Sequence, residues 1–166
     1  MINLEKGSDL LLKQLPKGAF LTVLGERLNT MTIAWGHIGV VWNKPVFIVF
    51  VRPSRYTYEI LMKAHDFTVN IPYEGALKKE LAYAGSTRGE DLDKFEVMGL
   101  TPTPSKTVKT PSIKECALNY ECKIIYRQIQ EPALIQEEIQ KKHYPQHDMH
   151  VMIYGEITHI DIKNNH

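Results

Sequence analysis

The chain has 166 residues, 43% of them hydrophobic and 23% charged, with a formal net charge of +1. This length fits a single domain, residues 1–166, with a proper buried core. Scattered Lys and Arg exclude the broad basic footprint of a nucleic-acid binder, and no apolar run approaches the ~20 residues of a membrane span, so neither nucleic acid nor membrane is expected as a partner.

Ala19 to Leu24 reads as a first strand after a turn at Pro16-Lys17-Gly18. Met31 to Trp35 reads as its hairpin partner, joined through Gly25 to Asn29. Asn43-Lys44-Pro45 breaks the chain before a third strand, Val46 to Val51, whose near-continuous apolar character predicts burial on both faces. Thr57 to Ala64 has helical spacing with Ile60 and Leu61 inward, and Phe67 to Ile71 is a short strand closed by Pro72. Gly75 to Ala84 predicts a helix carrying Leu77 and Leu81, with Gly85 at its C-terminal end. Asp91 to Met98 predicts another, its acidic first turn suiting the helix dipole and Gly99 ending it. Thr101 to Pro111 holds three prolines and no periodicity, which predicts a long surface loop.

Leu118, Tyr120, Cys122, Ile124 and Tyr126 alternate with polar residues, the pattern of a half-buried strand. Ala133 to Lys142 predicts an outer helix, and Val151 to Ile162 a last long strand with Gly155 as a bulge or bend. Cys116 and Cys122 flank one strand and are expected to share a face, too far apart to bridge, as free thiols of a reducing compartment. Met1 to Lys6 lacks the regions of a signal peptide, so the expected location is the cytoplasm. Strands arrive mostly in hairpin order without β-α-β alternation, which predicts a mainly β protein: an antiparallel barrel with peripheral helices, because closure removes exposed edges.

Chemistry concentrates in a few places. Arg52-Pro53-Ser54-Arg55-Tyr56-Thr57 puts two guanidiniums and two hydroxyls around a helix start. Forked permanent charges and hydroxyls converging there suit a phosphate, although a capped helix with surface arginines has the same pattern. Asn29-Thr30-Met31-Thr32 offers an amide and hydroxyls that match the acceptors and donor of a planar polar ring, and equally the β propensity of a plain hairpin strand. Gly85-Ser86-Thr87-Arg88-Gly89 is a loop whose backbone can approach a ligand, without the glycine fingerprint of a dinucleotide fold. His143, His147 and His150 with Asp148 are interrupted by Pro145 and have no matching cluster elsewhere, so no metal is expected. No nucleophile elbow is present, and neither cysteine has a histidine beside it.

The order of these segments resembles the flavin reductase-like family with the FMN-binding split-barrel fold, over roughly residues 15 to 160. The resemblance runs through Asn29-Thr30-Met31-Thr32 with Ala34 and Trp35, Arg52 to Glu59, Phe67 to Ile71, Asp91-Leu92-Asp93-Lys94-Phe95, Glu121-Cys122, and His150 followed by Gly155-Glu156-Ile157. It implies a Greek-key split barrel with FMN as cofactor. Asn29, Thr30, Met31 and Thr32 would line the isoalloxazine and ribityl chain, and Arg52, Ser54, Arg55 and Thr57 would hold the phosphate. Ser86 and Arg88 would reach the cofactor from their loop, here two residues longer than the family's Ser-Gly-Lys/Arg-Asp-x-Asp-Lys-Phe pattern. His150, the candidate catalytic residue, would border the flavin where substrate or nicotinamide stacks. Members usually form homodimers.

Three readings stay open at this point. One is an oxidoreductase that passes hydride and electrons from NAD(P)H through bound flavin to free flavin or another acceptor, the cofactor carrying the chemistry. Another is a non-enzymatic FMN carrier reduced by a partner protein. The third is an unrelated ligand-binding β barrel. NADH against NADPH, the acceptor and the strength of flavin binding are not written in the sequence.

Overall fold

The computed structural model describes residues 2–90 and 92–163. One antiparallel sheet of seven strands dominates it, in the spatial order β2-β1-β5-β8-β9-β4-β3. The strands are β1 Ala19–Leu24, β2 Leu28–Ile33, β3 Gly36–Val41, β4 Lys44–Val51, β5 Asp66–Ile71, β8 Leu118–Ile129 and β9 Val151–Ile162. A two-stranded clip, β6 Pro102–Thr103 with β7 Ser112–Ile113, stands beside it. The helices are α1 Ser8–Gln14, α2 Tyr56–Leu61, α3 Lys78–Ser86, α4 Lys94–Met98 and α5 Glu137–His143.

The outermost strands, β2 and β3, are separated in sequence only by Ala34 and Trp35, so the two sheet edges must meet there. They meet without a ladder: β2 packs against β4, and the barrel is split along that seam. Inside lie Leu21, Val23, Phe47, Val49, Phe67, Val69, Tyr120, Cys122, Ile153 and Ile157, with Leu11 and Leu15 plugging the barrel from α1 and the turn behind it. A smaller cluster of Phe20, Leu81, Ala84, Phe95, Leu100, Ile113 and Cys116 forms where α3 and α4 cover the outer face of β1. Strand β1 is therefore buried on both faces, as β4 is through Val46, Phe47, Ile48 and Val49.

Several boundaries depart from the sequence reading. The partner of β1 begins at Leu28, three residues before the expected Met31, and the link shortens to Gly25–Arg27. Strand β3 was not expected. Its two glycines and half-exposed pattern hide an edge strand, and Gly36 is needed because a Cβ there would stand 2.9 Å from the Ile48 carbonyl oxygen. Trp42 and Asn43, at φ 52° and 58°, make the two-residue turn that matches strand twist in a β3–β4 hairpin. Helix α1 was also missed.

Gly85 stands at the C-terminal end of α3, as its next-to-last residue and against Thr32, while the helix starts at Lys78 rather than Gly75. Asp93 caps α4 through Phe95 N and Glu96 N, and Gly99 ends it in the left-handed conformation at φ 65°, as expected; the expected start at Asp91 lies outside the described residues. The 101–111 loop is clipped by β6 and β7, and folds over β8. That cover buries Asn119 and Glu121 as deeply as their apolar neighbours, so the first half of β8 is buried on both faces rather than one. Glu121 is satisfied there by Lys106 N at 2.9 Å, Thr107 N at 2.7 Å and the Thr107 hydroxyl at 2.6 Å.

Cys116 and Cys122 are free and buried, but in separate clusters rather than on one face. The ladder shifts twice: β9 bulges at Thr158, opposite the Glu121–Cys122 step, and β8 bulges between Ile124 and Tyr126, opposite Gly155, which is itself not the extra residue. Its role is space, since a Cβ would stand 2.5 Å from Phe67 Cζ and 2.6 Å from Cys122 Cβ. No helix among the described residues is long and apolar enough to cross a membrane.

Candidate functional site

Two adjoining cavities open at the seam. The first, about 200 Å3, is walled by Ser54 to Thr57, by Ala84 to Gly89 at the end of α3, and by Met31 and Lys94. The second, about 210 Å3, is walled by Met31 to Trp35, Phe50, Arg52, Arg55 and His150. Met31 and Arg55 line both, so the two are ends of one cleft.

The first end is cationic. Lys94 is 3% exposed, and its Nζ donates to Thr30 O at 3.0 Å and Ala84 O at 2.9 Å. Burial, with the Arg55 guanidinium adding to it, lowers its pKa to about 8. Arg55 donates to Gly85 O at 3.3 Å. Neither cation has a carboxylate within ion-pair distance among the described residues. A buried ammonium without a counter-charge is costly, and an anion in the cavity would relieve both groups.

Arg88, by contrast, is already neutralised. It reaches Glu90 at 2.7 Å, Glu59 at 2.9 Å and Ser54 O at 3.2 Å, and lies over the Tyr56 ring, strapping the loop behind α3 to α2. Thr57, 2% exposed, accepts at its Oγ1 from Asn29 Nδ2 at 2.8 Å. Ser54 donates to Asp148 Oδ2 at 3.0 Å, and Ser86 to Ala82 O at 2.8 Å. Gly89 presses on this floor: a Cβ there would be 2.1 Å from Asn29 Oδ1.

The second end is aromatic. His150 is 8% exposed and lies 5.1 Å from the Trp35 ring and 6.2 Å from Phe50, with Nδ1 2.7 Å from the Tyr144 hydroxyl. Burial, then Arg52 and Arg55, lower its pKa to about 4 against the pull of Asp148, so the imidazole is neutral at physiological pH.

The structure thus brings Ser54, Arg55, Thr57, Ser86 and Arg88 to one cavity and His150 to the other, with Met31 between them. Arg52 is parted from the expected phosphate group. Past the end of β4 its guanidinium turns to the segment after α5, donating to Asp148 O at 2.7 Å and His143 O at 2.8 Å. The Thr30 side chain is also set apart. Strand alternation sends Asn29 and Met31 to the barrel side, while Thr30 and Thr32 turn the other way. Thr30 Oγ1 donates to Leu21 O at 3.1 Å and neighbours Thr22 Oγ1 at 3.0 Å, and Thr32 Oγ1 donates to Leu81 O at 2.6 Å. Thr30 meets the site only through its carbonyl on Lys94. No group of three or more metal-ligating residues is found among the described residues.

Residues 13–166 match the family described as flavin reductase like domain. The chain belongs to this family. A curated relative from Archaeoglobus fulgidus is 35% identical over 111 residues, 66% of this chain and 62% of that protein; the chain thus spans less than two thirds of the relative's length. Flavoredoxin of Desulfovibrio vulgaris (Miyazaki F) superposes with a TM-score of 0.69 at 26% identity, over 89% of this chain and 69% of that one. An FMN-binding protein from Thermus thermophilus superposes with a TM-score of 0.66 at 21% identity, over 89% and 72% of the two chains, which speaks for the fold. The shared architecture is the one described elsewhere among these structures as a split barrel domain.

Within this flavin reductase-like fold, sequence reasoning gave no role to Lys94, Trp35 or Tyr144. Lys94 had a signal: a cation at the first position of a helix opposes the dipole, which asks for another reason to be there. Trp35, 42% exposed beside the second cavity, had the weaker signal of a large aromatic between two strands. Tyr144 had none, because its contact with His150 depends on how the chain turns after α5.

Proposed function

We propose that the cleft binds FMN and that the protein is a flavin-dependent oxidoreductase. The observation that carries this is the pair of cations, Arg55 and Lys94, which have no ion-pair partner among the described residues and stand at one end of a cleft whose other end is aromatic. Such a cleft fits a phosphate joined to a planar ring. Arg55 and Lys94, with the hydroxyls of Ser54, Thr57 and Ser86, would hold the phosphate. Met31 and the backbone of 31–35 would border the ring, and His150, Trp35 and Phe50 its open side. A bound flavin supplies hydride and electron transfer, so the chain's part is binding, orientation and exclusion of water. Because the flavin would carry that chemistry, no acid–base pair is required of the cleft, and His150 borders it as a neutral ring.

NAD(P)H is the proposed donor, and free flavin or another small acceptor the proposed recipient. The reading includes a homodimer in the cytoplasm. The decisive experiment is the absorption spectrum of the purified protein with FMN added, followed by anaerobic titration with NADH and NADPH. Absence of FMN binding would sink the proposal. Likeness to a flavoredoxin favours one alternative, an FMN-binding electron carrier served by a redox partner protein. It predicts tight FMN binding with negligible NAD(P)H oxidation by the isolated protein.

A further inference from the structure

Tyr144 lies outside the roles given above, yet the architecture around it is specific. The segment from His143 to His150 is held from one side by Arg52, which donates to the carbonyls of His143 and Asp148, and by Ser54, which donates to the Asp148 carboxylate. The Arg52 guanidinium stands 5.1 Å from the centroid of the Tyr144 ring, a cation–π contact that holds the ring's direction. Tyr144 is 4% exposed, and its hydroxyl lies 2.7 Å from His150 Nδ1. Gln130 accepts at Oε1 from the His150 backbone N–H at 3.1 Å, which fixes the backbone that carries the imidazole. A phenol is a much stronger acid than a neutral imidazole N–H, and the bare imidazole nitrogen is the better acceptor, so the phenol proton goes to Nδ1. The imidazole hydrogen is then on Nε2, which has no partner among the described residues and is not enclosed, on a residue that lines the second cavity.

We propose that Tyr144 is a positioning residue: it fixes His150 as the Nε2–H tautomer, so that the cleft presents a single neutral N–H donor to a carbonyl oxygen on a planar heteroaromatic ring lying against Trp35 and Phe50. This rests on the flavin reading for the site and adds the chemistry of the group seated there. Two rings carry such an oxygen, an isoalloxazine and a nicotinamide with its carboxamide. A carboxylate is not required, because the imidazole is uncharged. Burial is the main reason, and the charged and titratable groups nearby, Arg52, Arg55, Asp148, His143 and Tyr144, leave it so: two guanidiniums outweigh one carboxylate.

The test is 15N NMR of the imidazole nitrogens in protein carrying labelled histidine, first without ligand. His150 should show a protonated Nε2 and an unprotonated, hydrogen-bonded Nδ1; a protonated Nδ1 overturns the proposal. Tyr144→Phe should move the Nδ1 signal toward that of a free imidazole nitrogen; an unmoved signal also overturns it. FMN and nicotinamide are then titrated separately, and the one seated on His150 should shift the Nε2–H signal. Tyr144→Phe should weaken that ligand roughly three- to tenfold and leave the other unchanged. If neither ligand moves the signal, the donor role is wrong. Failure to bind FMN alone would sink the flavin reading while the ligand-free spectra and the nicotinamide arm still decide the role of Tyr144.

Discussion

The ammonium of Lys94 donates to the backbone carbonyl of Thr30 across 3.0 Å, tying the first turn of α4 to β2 behind the cleft. A second bond to Ala84 O leaves one of the three Nζ protons for whatever fills the cavity.

A pH dependence follows, with a definite sign. The folded pKa is lowered to about 8, so the cation is present below that pH and lost above it. Affinity for FMN or inorganic phosphate should fall above about pH 8, by up to about tenfold per pH unit, and Lys94→Met should remove that slope. Stability of the ligand-free protein moves the other way. Between about 8 and the ~10.4 of an unfolded lysine, the unfolded chain binds the extra proton, so the Lys94 contribution improves as pH rises through this window. Thermal melts of the two proteins at pH 7 and pH 10 measure the difference: Lys94→Met should gain on the parent at pH 7 and lose that advantage at pH 10.

In the proposed reading Arg55 carries the preference for a phosphate. FMN should bind better than riboflavin, and Arg55→Ala should cost about 1.5–3 kcal/mol, roughly ten- to a hundredfold in FMN affinity. Riboflavin affinity should be nearly unaffected. Fluorescence titration of both flavins decides it, and equal affinities in the unmodified protein would count against the assignment.

His150 separates an enzyme from a carrier. In the proposed reading its ring seats a ligand rather than moving a proton, so His150→Ala should slow flavin reduction by NAD(P)H by more than it weakens FMN binding. With its pKa lowered to about 4, the His150 contribution should be flat from about pH 5 to pH 8. Rapid-mixing reduction kinetics across that range would check both points; a titration near pH 6.5 would show that the ring is not held as described.

Gly155→Ala should destabilise the barrel without touching the cleft. Its Cβ would have to displace Phe67 Cζ and Cys122 Cβ, both within 2.6 Å, in a packed interior. Overpacking of this kind costs about 1–3 kcal/mol, sometimes more. Urea denaturation should show a lower midpoint with FMN affinity per folded molecule unchanged.

The strands legible in the sequence were those whose pattern is set by their own residues. β1 and β9 have the bounds expected of them, and the apolar run of β4 is buried on both faces. What escaped was set by other parts of the chain. Glu121 alternates like a solvent-facing residue, but the 101–111 loop lies over it. The start of α3 escaped too: Gly75 opens a turn, and the helix begins only at Lys78 after Leu77 in the left-handed conformation. The same holds at the site. Ser54, Arg55 and Thr57 converge because they are sequence neighbours at a turn. Arg52 lies in that run too, but its partners come from a segment more than ninety residues away.

The ladder between β4 and β9 also governs when this protein can fold. It pairs Val51 with Val151, about a hundred residues apart in sequence. At a synthesis rate of ~5–20 residues per second, β4 waits roughly 5–20 s for its partner to be made. During that interval the run Val46 to Val51, apolar on both faces, has only the β3 hairpin to cover one edge. Such a segment is a template for pairing with other chains, so newly made molecules pass through an aggregation-exposed stage that the finished barrel conceals.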